Sequence, residues 1–296
     1  MLVTGAAGML GSVVLLRAPA GVVTLATSRG GTLPEVCGDV PLLGGVVLAE
    51  RADVESLGRW FGELDAVVHC AAFTDVDGAE SDPSAAQRGG VLATEEAARL
   101  AARTGAALLL VSTDFVFDGE AREPYAEDAP THPLSVYGRT KLEAEHRAEA
   151  LHPGGVAVVR AQWLYGARGR HFPGTMLRLA RAGTPLRVVA DQVGSPTSTA
   201  ALVPALWDLL AAGGRGVFHA ACEGRASWYE FARETLRLAG VDAELAPCST
   251  AEFPRPARRP AFSVLNCARL ADLRGRTLPP WQEALAAFLA TSSTCA

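Results

Sequence analysis

The sequence predicts an α/β protein built on a doubly wound parallel sheet, with a smaller, partly helical substrate-binding lobe after it. Three observations carry this. Short, continuously apolar runs alternate with helix-patterned segments up to Arg160, a glycine triplet stands between the first run and the first helix, and the pattern then loosens into Pro-, Gly- and Arg-rich stretches.

The runs at 2–4, 22–26, 66–70, 107–111 and 156–160 read as strands. Each is apolar throughout instead of alternating, as strands of a parallel sheet covered on both faces must be. Helix-period segments at 8–17, 54–61, 83–104 and 137–151 fill the gaps, and strand–helix–strand repeated is how such a sheet is wound. Residues 1–160 are therefore read as one domain. In the second lobe, residues 161–296, helical patterns fall at 175–182, 199–212, 228–239 and 280–290 and strands at 186–189 and 216–220, with some segments returning to the main sheet.

Composition narrows the function classes. A chain of 296 residues, 49% of them hydrophobic, buries a substantial core. With 27 Lys and Arg against 32 Asp and Glu and no dense basic run, it lacks the footprint of a nucleic-acid binder, so any anion must be held locally. Cys37, Cys70, Cys222, Cys248, Cys267 and Cys295 are scattered without a CxxC pair or nearby histidines. They read as reduced cytosolic thiols with no structural metal, in a cytoplasmic protein. Residues 13–20 imitate a signal peptide, but no basic segment precedes them and glycines interrupt the apolar stretch, so no signal is expected. No run approaches the roughly 20 apolar residues of a membrane span.

The stretch TGAAGMLG at 4–11 follows the first strand and opens a helix. Gly5 allows the tight turn, Gly8 lets the backbone approach a pyrophosphate, and Gly11 permits close packing of helix on strand. The amides around Met9 and Leu10 add the positive end of the helix dipole. In this strand–turn–helix context the pattern indicates a dinucleotide-binding Rossmann domain. The second strand chooses the dinucleotide: it ends in LATSRG at 25–30, where Ser28 and Arg29 replace the acidic residue that binds a ribose 2′-hydroxyl. That favours NADP(H) over NAD(H), although a solvated surface arginine is the plainer alternative for Arg29. Asp53, with Val54 after it, suits the adenine amino group and equally suits a helix N-cap.

The fourth strand ends in VSTDFVFDG at 111–119, bringing Ser112, Thr113 and Asp114 to the crevice where doubly wound sheets bind ligands. Thr113 is placed to hydrogen-bond a substrate carbonyl; the bland alternative is a turn hydroxyl. In SVYGRTK at 135–141, Tyr137 and Lys141 stand at i and i+4 and share one helix face. An ammonium beside a phenol lowers its pKa from about 10, and such a phenol, with a hydroxyl donor, would protonate the oxygen that hydride addition leaves charged.

These motifs, together with AAFTDVD at 71–77, TMLRL at 175–179, DQVGSPT at 191–197 and RPAFSVL at 259–265, resemble the dTDP-4-dehydrorhamnose reductases. These are extended short-chain dehydrogenases that reduce the 4-keto group of a nucleotide-linked 6-deoxyhexose. The resemblance covers nearly the whole chain in order. It implies a triad of Thr113, Tyr137 and Lys141, a cofactor lined by Ala71, Ala72 and Thr74 and touched by Ser112, Tyr137 and Lys141, and a nucleotide-diphosphate sugar as substrate. It further implies that Asp114, Phe115, Trp163 and His171 border the sugar, that Arg178 or Arg259 holds the diphosphate, and that a homodimer is the candidate assembly.

Four positions depart from that family's pattern. Gly90 stands in place of an asparagine, Phe115 of a tyrosine, and His171 and Phe262 of asparagines. A polar partner lost from a buried site costs on the order of 1 to 3 kcal/mol and changes which substrate is accepted. Another keto-sugar is therefore the alternative substrate. Dehydratases and epimerases share the fold and the Tyr/Lys pair, but Phe115 stands where dehydratases carry a second carboxylate. The regulatory subunit of some methionine adenosyltransferases resembles the same family and supplies a non-catalytic alternative.

Overall fold

In a computed structural model the chain is described except at residues 31, 34–36, 38–39, 51–54, 56–62 and 293–296. The expected helix at 54–61, and with it Asp53 and Val54, lies outside the described residues. Strands β1 (Leu2–Thr4), β2 (Leu25–Ser28), β3 (Leu42–Gly44), β4 (Ala66–His69), β5 (Ala107–Thr113), β6 (Val156–Ala161) and β11 (Gly216–Ala220) form a seven-stranded sheet. Its order is β11-β6-β5-β4-β1-β2-β3 and every pairing is parallel. The chain winds outward from β1 in one direction and from β4 in the other, so the switch point, and the crevice it opens, lies between these two neighbours.

The apolar strands are explained by the two faces they serve. Leu2, Val67, Leu108, Leu110, Val156 and Val158 point to one side, against Leu100, Ala101 and Ala148 of helices α4 (Ala93–Thr104) and α5 (Val136–Leu151). Val3, Val68, Leu109, Ala157 and Val159 point to the other. There they meet Val14 of α1 (Met9–Leu16), Leu202 and Leu206 of α7 (Thr199–Ala211), and Leu285 of α10 (Trp281–Ser292). Successive strand residues thus bury on opposite faces, and a polar residue at either parity must find a buried partner, as Arg160 of β6 does in Glu145.

Two expected elements differ. The strand read at 22–26 begins at Leu25, because Val22 closes a turn onto the Pro19 carbonyl at 3.1 Å and Val23 is exposed. The single helix read at 83–104 is instead α3 (Pro83–Ala86), a π-helical turn at Gln87–Leu92, and α4. The Gly89-Gly90 pair lies inside that turn, and the Thr94 hydroxyl donates to the Gly90 carbonyl at 2.7 Å. Widened turns of this kind recur beside functional sites.

After β6 come β7 (Leu164–Tyr165), α6 (Phe172–Arg181), β8 (Leu186–Val189), β9 (Val193–Gly194) and β10 (Thr197–Ser198). Beyond α7 and β11 lie β12 (Ala226–Ser227), α8 (Trp228–Ala239), β13 (Leu245–Cys248) and α9 (Ala268–Arg274). Three two-stranded sheets, β7–β10, β9–β12 and β8–β13, stiffen this part. α8 is stopped and started by its own sequence: Ser227 and Glu230 form a capping box and Gly240 ends it with φ +62°. Residues 262–267 return to the sheet's carboxyl end, Phe262 N–H donating to the Gly119 carbonyl at 3.2 Å and Tyr125 N–H to the Val264 carbonyl at 2.9 Å. No helix among the described residues is long and apolar enough to cross a membrane.

Candidate active site

The glycine turn sits at the switch point. Gly5 has φ +63°, and a Cβ there would lie 2.7 Å from the Ala71 amide nitrogen, so the β1 and β4 loops touch only because Gly5 has no side chain. A Cβ on Gly11 would strike the Gly5 carbonyl at 2.4 Å. Gly8 caps α1 without a side-chain bond, leaving the first-turn amides around Met9 and Leu10 to point outward. This is a cradle that a Cβ would fill, and it fits a pyrophosphate. At the end of β2, Ser28 is buried and accepts from Gly30 N–H at 3.3 Å, while Arg29 is exposed. An exposed cation at the end of β2 fits a 2′-phosphate.

A network absent from the sequence reading stiffens the cradle. Ala71 N–H donates to Thr4 Oγ1 at 3.4 Å, and Thr4 Oγ1 lies 2.9 Å from His69 Nδ1. On the other side of the ring, Nε2 lies 3.3 Å from Thr94 Oγ1. Because Thr94 spends its proton on the Gly90 carbonyl, it accepts from Nε2–H, which leaves Nδ1 to accept from Thr4. Burial, with Lys141 nearby, drops the His69 pKa to about 3, so the ring is a neutral strut between cofactor loop and π-turn. Ala71 and Ala72 follow β4 and are half-buried, Ala71 against Gly5, whereas Thr74 is exposed.

Thr113 and Tyr137 meet at the carboxyl end of β5. Ser135 starts α5 by accepting from Gly138 N–H at 3.1 Å, which sets Tyr137 in the first turn. The Thr113 hydroxyl lies near the Tyr137 phenol and favours its ionised form. Lys141 is buried and its Nζ donates to the Val111 carbonyl at 2.7 Å, tying α5 to the strand that carries Thr113. Burial pulls its pKa down to about 8, against the opposing pull of Glu145 and Cys70. The expected lowering of the phenol is reversed. Burial raises the Tyr137 pKa to about 12, Thr113 opposes this, and Asp114, when ionised, adds to it. Phe115 stands edge-on to Tyr137 at 5.6 Å and makes the adjoining wall apolar. Asp114 is buried; its Oδ1 lies 3.1 Å from Thr113 Oγ1, and burial raises its pKa to about 6 against the opposing effect of Ser263 and Thr113.

Three expected ligands are engaged elsewhere. Ser112, one residue before Thr113, points to the α4–α5 face and donates to Glu145, which also holds Arg160 at 2.7 Å in a buried ion pair. Strand alternation therefore turns its side chain to the face opposite that of Thr113. His171 caps α6, its Nδ1 accepting from Gly174 N–H at 3.1 Å, and its ring packs edge-on against Phe288. Arg259 is bidentate to Asp77, with Nη1–Oδ1 and Nη2–Oδ2 both 3.0 Å, so its guanidinium is committed to a carboxylate. Arg178 is exposed and, with Arg170, His171 and Thr175, lines a cleft of about 530 Å³. Trp163 leaves β6 with φ +47° and stacks on Trp228 at 3.6 Å and 9°. Trp228 opens α8, and no motif in the sequence marks it as the partner of Trp163. Among the described residues no cluster of His, Cys, Asp and Glu could hold a metal ion.

Fold and site together define an oxidoreductase of the short-chain dehydrogenase/reductase type. The profile of the RmlD substrate binding domain family matches residues 1–294, and the chain belongs to that family. It is 37% identical over 289 residues to a dTDP-4-dehydrorhamnose reductase of Mycolicibacterium smegmatis, covering 96% of this chain and 83% of that one. It is 37% identical over 268 residues to a dTDP-4-keto-6-deoxy-D-glucose reductase of Streptomyces niveus, covering 90% and 88%. A dTDP-4-dehydrorhamnose reductase of Bacillus anthracis, solved in complex with NADP, superposes with a TM-score of 0.89 at 29% identity over 98% of both chains.

Proposed function

We propose that the protein uses NADPH to reduce the 4-keto group of a dTDP-linked 4-keto-6-deoxyhexose. The observation that carries this is the meeting of the Thr113 hydroxyl and the Tyr137 phenol at the crevice, on the β5 end and α5 start that Lys141 ties together. The bound NADPH supplies the hydride. The residues of this chain then have to orient the ketone and deliver a proton to its oxygen.

The raised phenol suits reduction. At a pKa of about 12 Tyr137 is fully protonated at neutral pH. An alkoxide forming on the sugar is a base comparable to hydroxide, whose conjugate acid has a pKa of about 15.7. Transfer from Tyr137 is therefore downhill, while the reverse reaction, which needs the phenolate as base, is disfavoured. Thr113 positions the carbonyl and Lys141 holds the end of β5. Ser28 and Arg29 favour the 2′-phosphate of NADPH. The cleft beside Arg170 and Arg178 offers two cations for the substrate diphosphate now that Arg259 is committed to Asp77.

Oxidation of NADPH by the purified protein with dTDP-4-keto-6-deoxy-L-mannose, run beside NADH and beside Tyr137→Phe, tests this. Turnover that prefers NADPH and falls by 10² to 10⁴ in the variant is expected. Undiminished turnover in Tyr137→Phe would sink the role of the phenol.

A second reading concerns the sugar alone. The apolar Phe115 edge beside the proton donor favours a substrate with fewer hydroxyls near C4 than the rhamnose precursor carries. Assaying dTDP-4-keto-6-deoxy-D-glucose and a 2- or 3-deoxy analogue in parallel ranks the candidates by kcat/KM.

A further inference from the structure

Asp114 lies directly beside the triad, and the hydrogen bonds around it pose a problem of direction. A threonine hydroxyl has one proton and two lone pairs. Thr113 Oγ1 already accepts from Phe115 N–H at 3.2 Å, and it lies 3.1 Å from Asp114 Oδ1. If Asp114 is a carboxylate it can only accept, so the Thr113 proton points at Asp114 and none is left for a substrate carbonyl. If Asp114 is a carboxylic acid it donates to Thr113, both lone pairs of Oγ1 are then filled, and the Thr113 proton is free to face the substrate. The direction of one bond decides whether Thr113 is a donor or an acceptor in the crevice.

The surroundings favour the acid. Asp114 is 1% exposed, and among the described residues it pairs with no Lys, Arg or His. From β5 it faces Thr113, from α5 the neutral Tyr137 phenol, from the turn after β6 Gln162, and from residues 260–265 Ser263. Gln162 gives its amide to the Ser263 carbonyl at 2.8 Å and reaches Asp114 Oδ2 only at 3.5 Å, the outer limit of a hydrogen bond. A buried carboxyl among neutral groups resists ionisation, and burial here raises its pKa to about 6.

We propose that Asp114 is a positioning residue that must carry a proton for the reductase to work, because only the neutral carboxyl turns the Thr113 hydroxyl toward the substrate carbonyl. This rests on the reductase reading and deepens it. The proton on Asp114 is not consumed: it stays on the carboxyl while Tyr137 delivers the proton that the product keeps.

The experiment compares wild type with Asp114→Asn, a permanently neutral side chain whose amide can donate to Thr113. The readout is the ratio of their kcat/KM values as pH rises from 5 to 9, in which the titrations of cofactor, substrate and Lys141 cancel. The ratio of variant to wild type is expected to climb about tenfold per pH unit once the carboxyl ionises. A ratio that is flat, or that falls with pH, overturns the proposal. A second measurement needs neither turnover nor a folded variant: the carbon-13 carboxyl signal of Asp114 in labelled wild type, assigned through bonds from its own backbone resonances. A midpoint well above 4 is expected, and one in the ordinary carboxylate range near 3.9 overturns the proposal. Should wild type turn over no 4-keto-6-deoxy sugar, the reductase reading fails, and this titration still decides whether Asp114 holds a proton.

Discussion

Asp77 and Arg259, 182 residues apart in sequence, meet in a bidentate ion pair with both N–O distances at 3.0 Å. Arg255 adds a second guanidinium and Ala257 N–H a backbone bond at 3.2 Å. Asp77 is the second residue of α2 (Val76–Ser81), just after the loop that follows β4, so the pair latches residues 255–259 to the segment that follows β4.

The latch is a pH-dependent contribution to stability. Burial alone would raise the Asp77 pKa, but the hydrogen bonds from Arg259 and Arg255 outweigh it and hold the carboxyl at about 2. A carboxylate lowered in the folded state stabilises the fold above its unfolded pKa near 4, and that gain is lost as pH falls toward 2. Asp77→Asn should cost about 1 to 2 kcal/mol at pH 7, allowing for solvent screening of a half-buried pair. The difference from wild type in urea melts should shrink steadily between pH 5 and pH 2.

Lys141 should show the opposite trade. Its ammonium is buried and its pKa is lowered to about 8. The charged form is thus disfavoured by folding, and the cost is full below pH 8 and relieved as pH rises toward its unfolded value of about 10.4. Lys141→Met should therefore stabilise the protein by about 1 to 2 kcal/mol at pH 7, after the lost bond to the Val111 carbonyl is subtracted. Thermal melts at pH 7 and pH 10 should show that advantage fading at the higher pH, while activity drops at both.

The Glu145–Arg160 pair anchors α5 to β6 from inside the protein. Glu145→Ala should cost about 3 to 5 kcal/mol in urea unfolding, because it strands a buried guanidinium. Adding Arg160→Leu should recover much of that loss. If the double variant is as unstable as the sum of the singles, the pair is not coupled as described.

The Trp163–Trp228 stack depends on Gly194, where a Cβ would lie 2.5 Å from the Trp163 ring. Gly194→Ala should destabilise by roughly 1 to 3 kcal/mol and displace Trp163. Near-ultraviolet circular dichroism should lose the signal of the coupled indoles. The KM for the sugar nucleotide should rise while NADPH affinity stays near wild type.

The sequence by itself determined the doubly wound sheet, because strands covered on both faces must be apolar at every position and 107–111 and 156–160 could be little else. It also determined the glycine cradle and the Tyr137–Lys141 pair, since a tight turn and an i, i+4 face are local geometry readable at fixed spacing. Tertiary structure alone decided what the side chains around them do. Whether Ser112 or Thr113 faces the crevice depends on strand parity against a helix 33 residues away. Whether Arg259 meets a phosphate or Asp77 depends on a contact 182 residues long, and the pKa of Tyr137 depends on burial that Lys141 does not offset. Charge balance, desolvation and hydrogen-bond direction are set by neighbours in space, and spacing along the chain does not carry them.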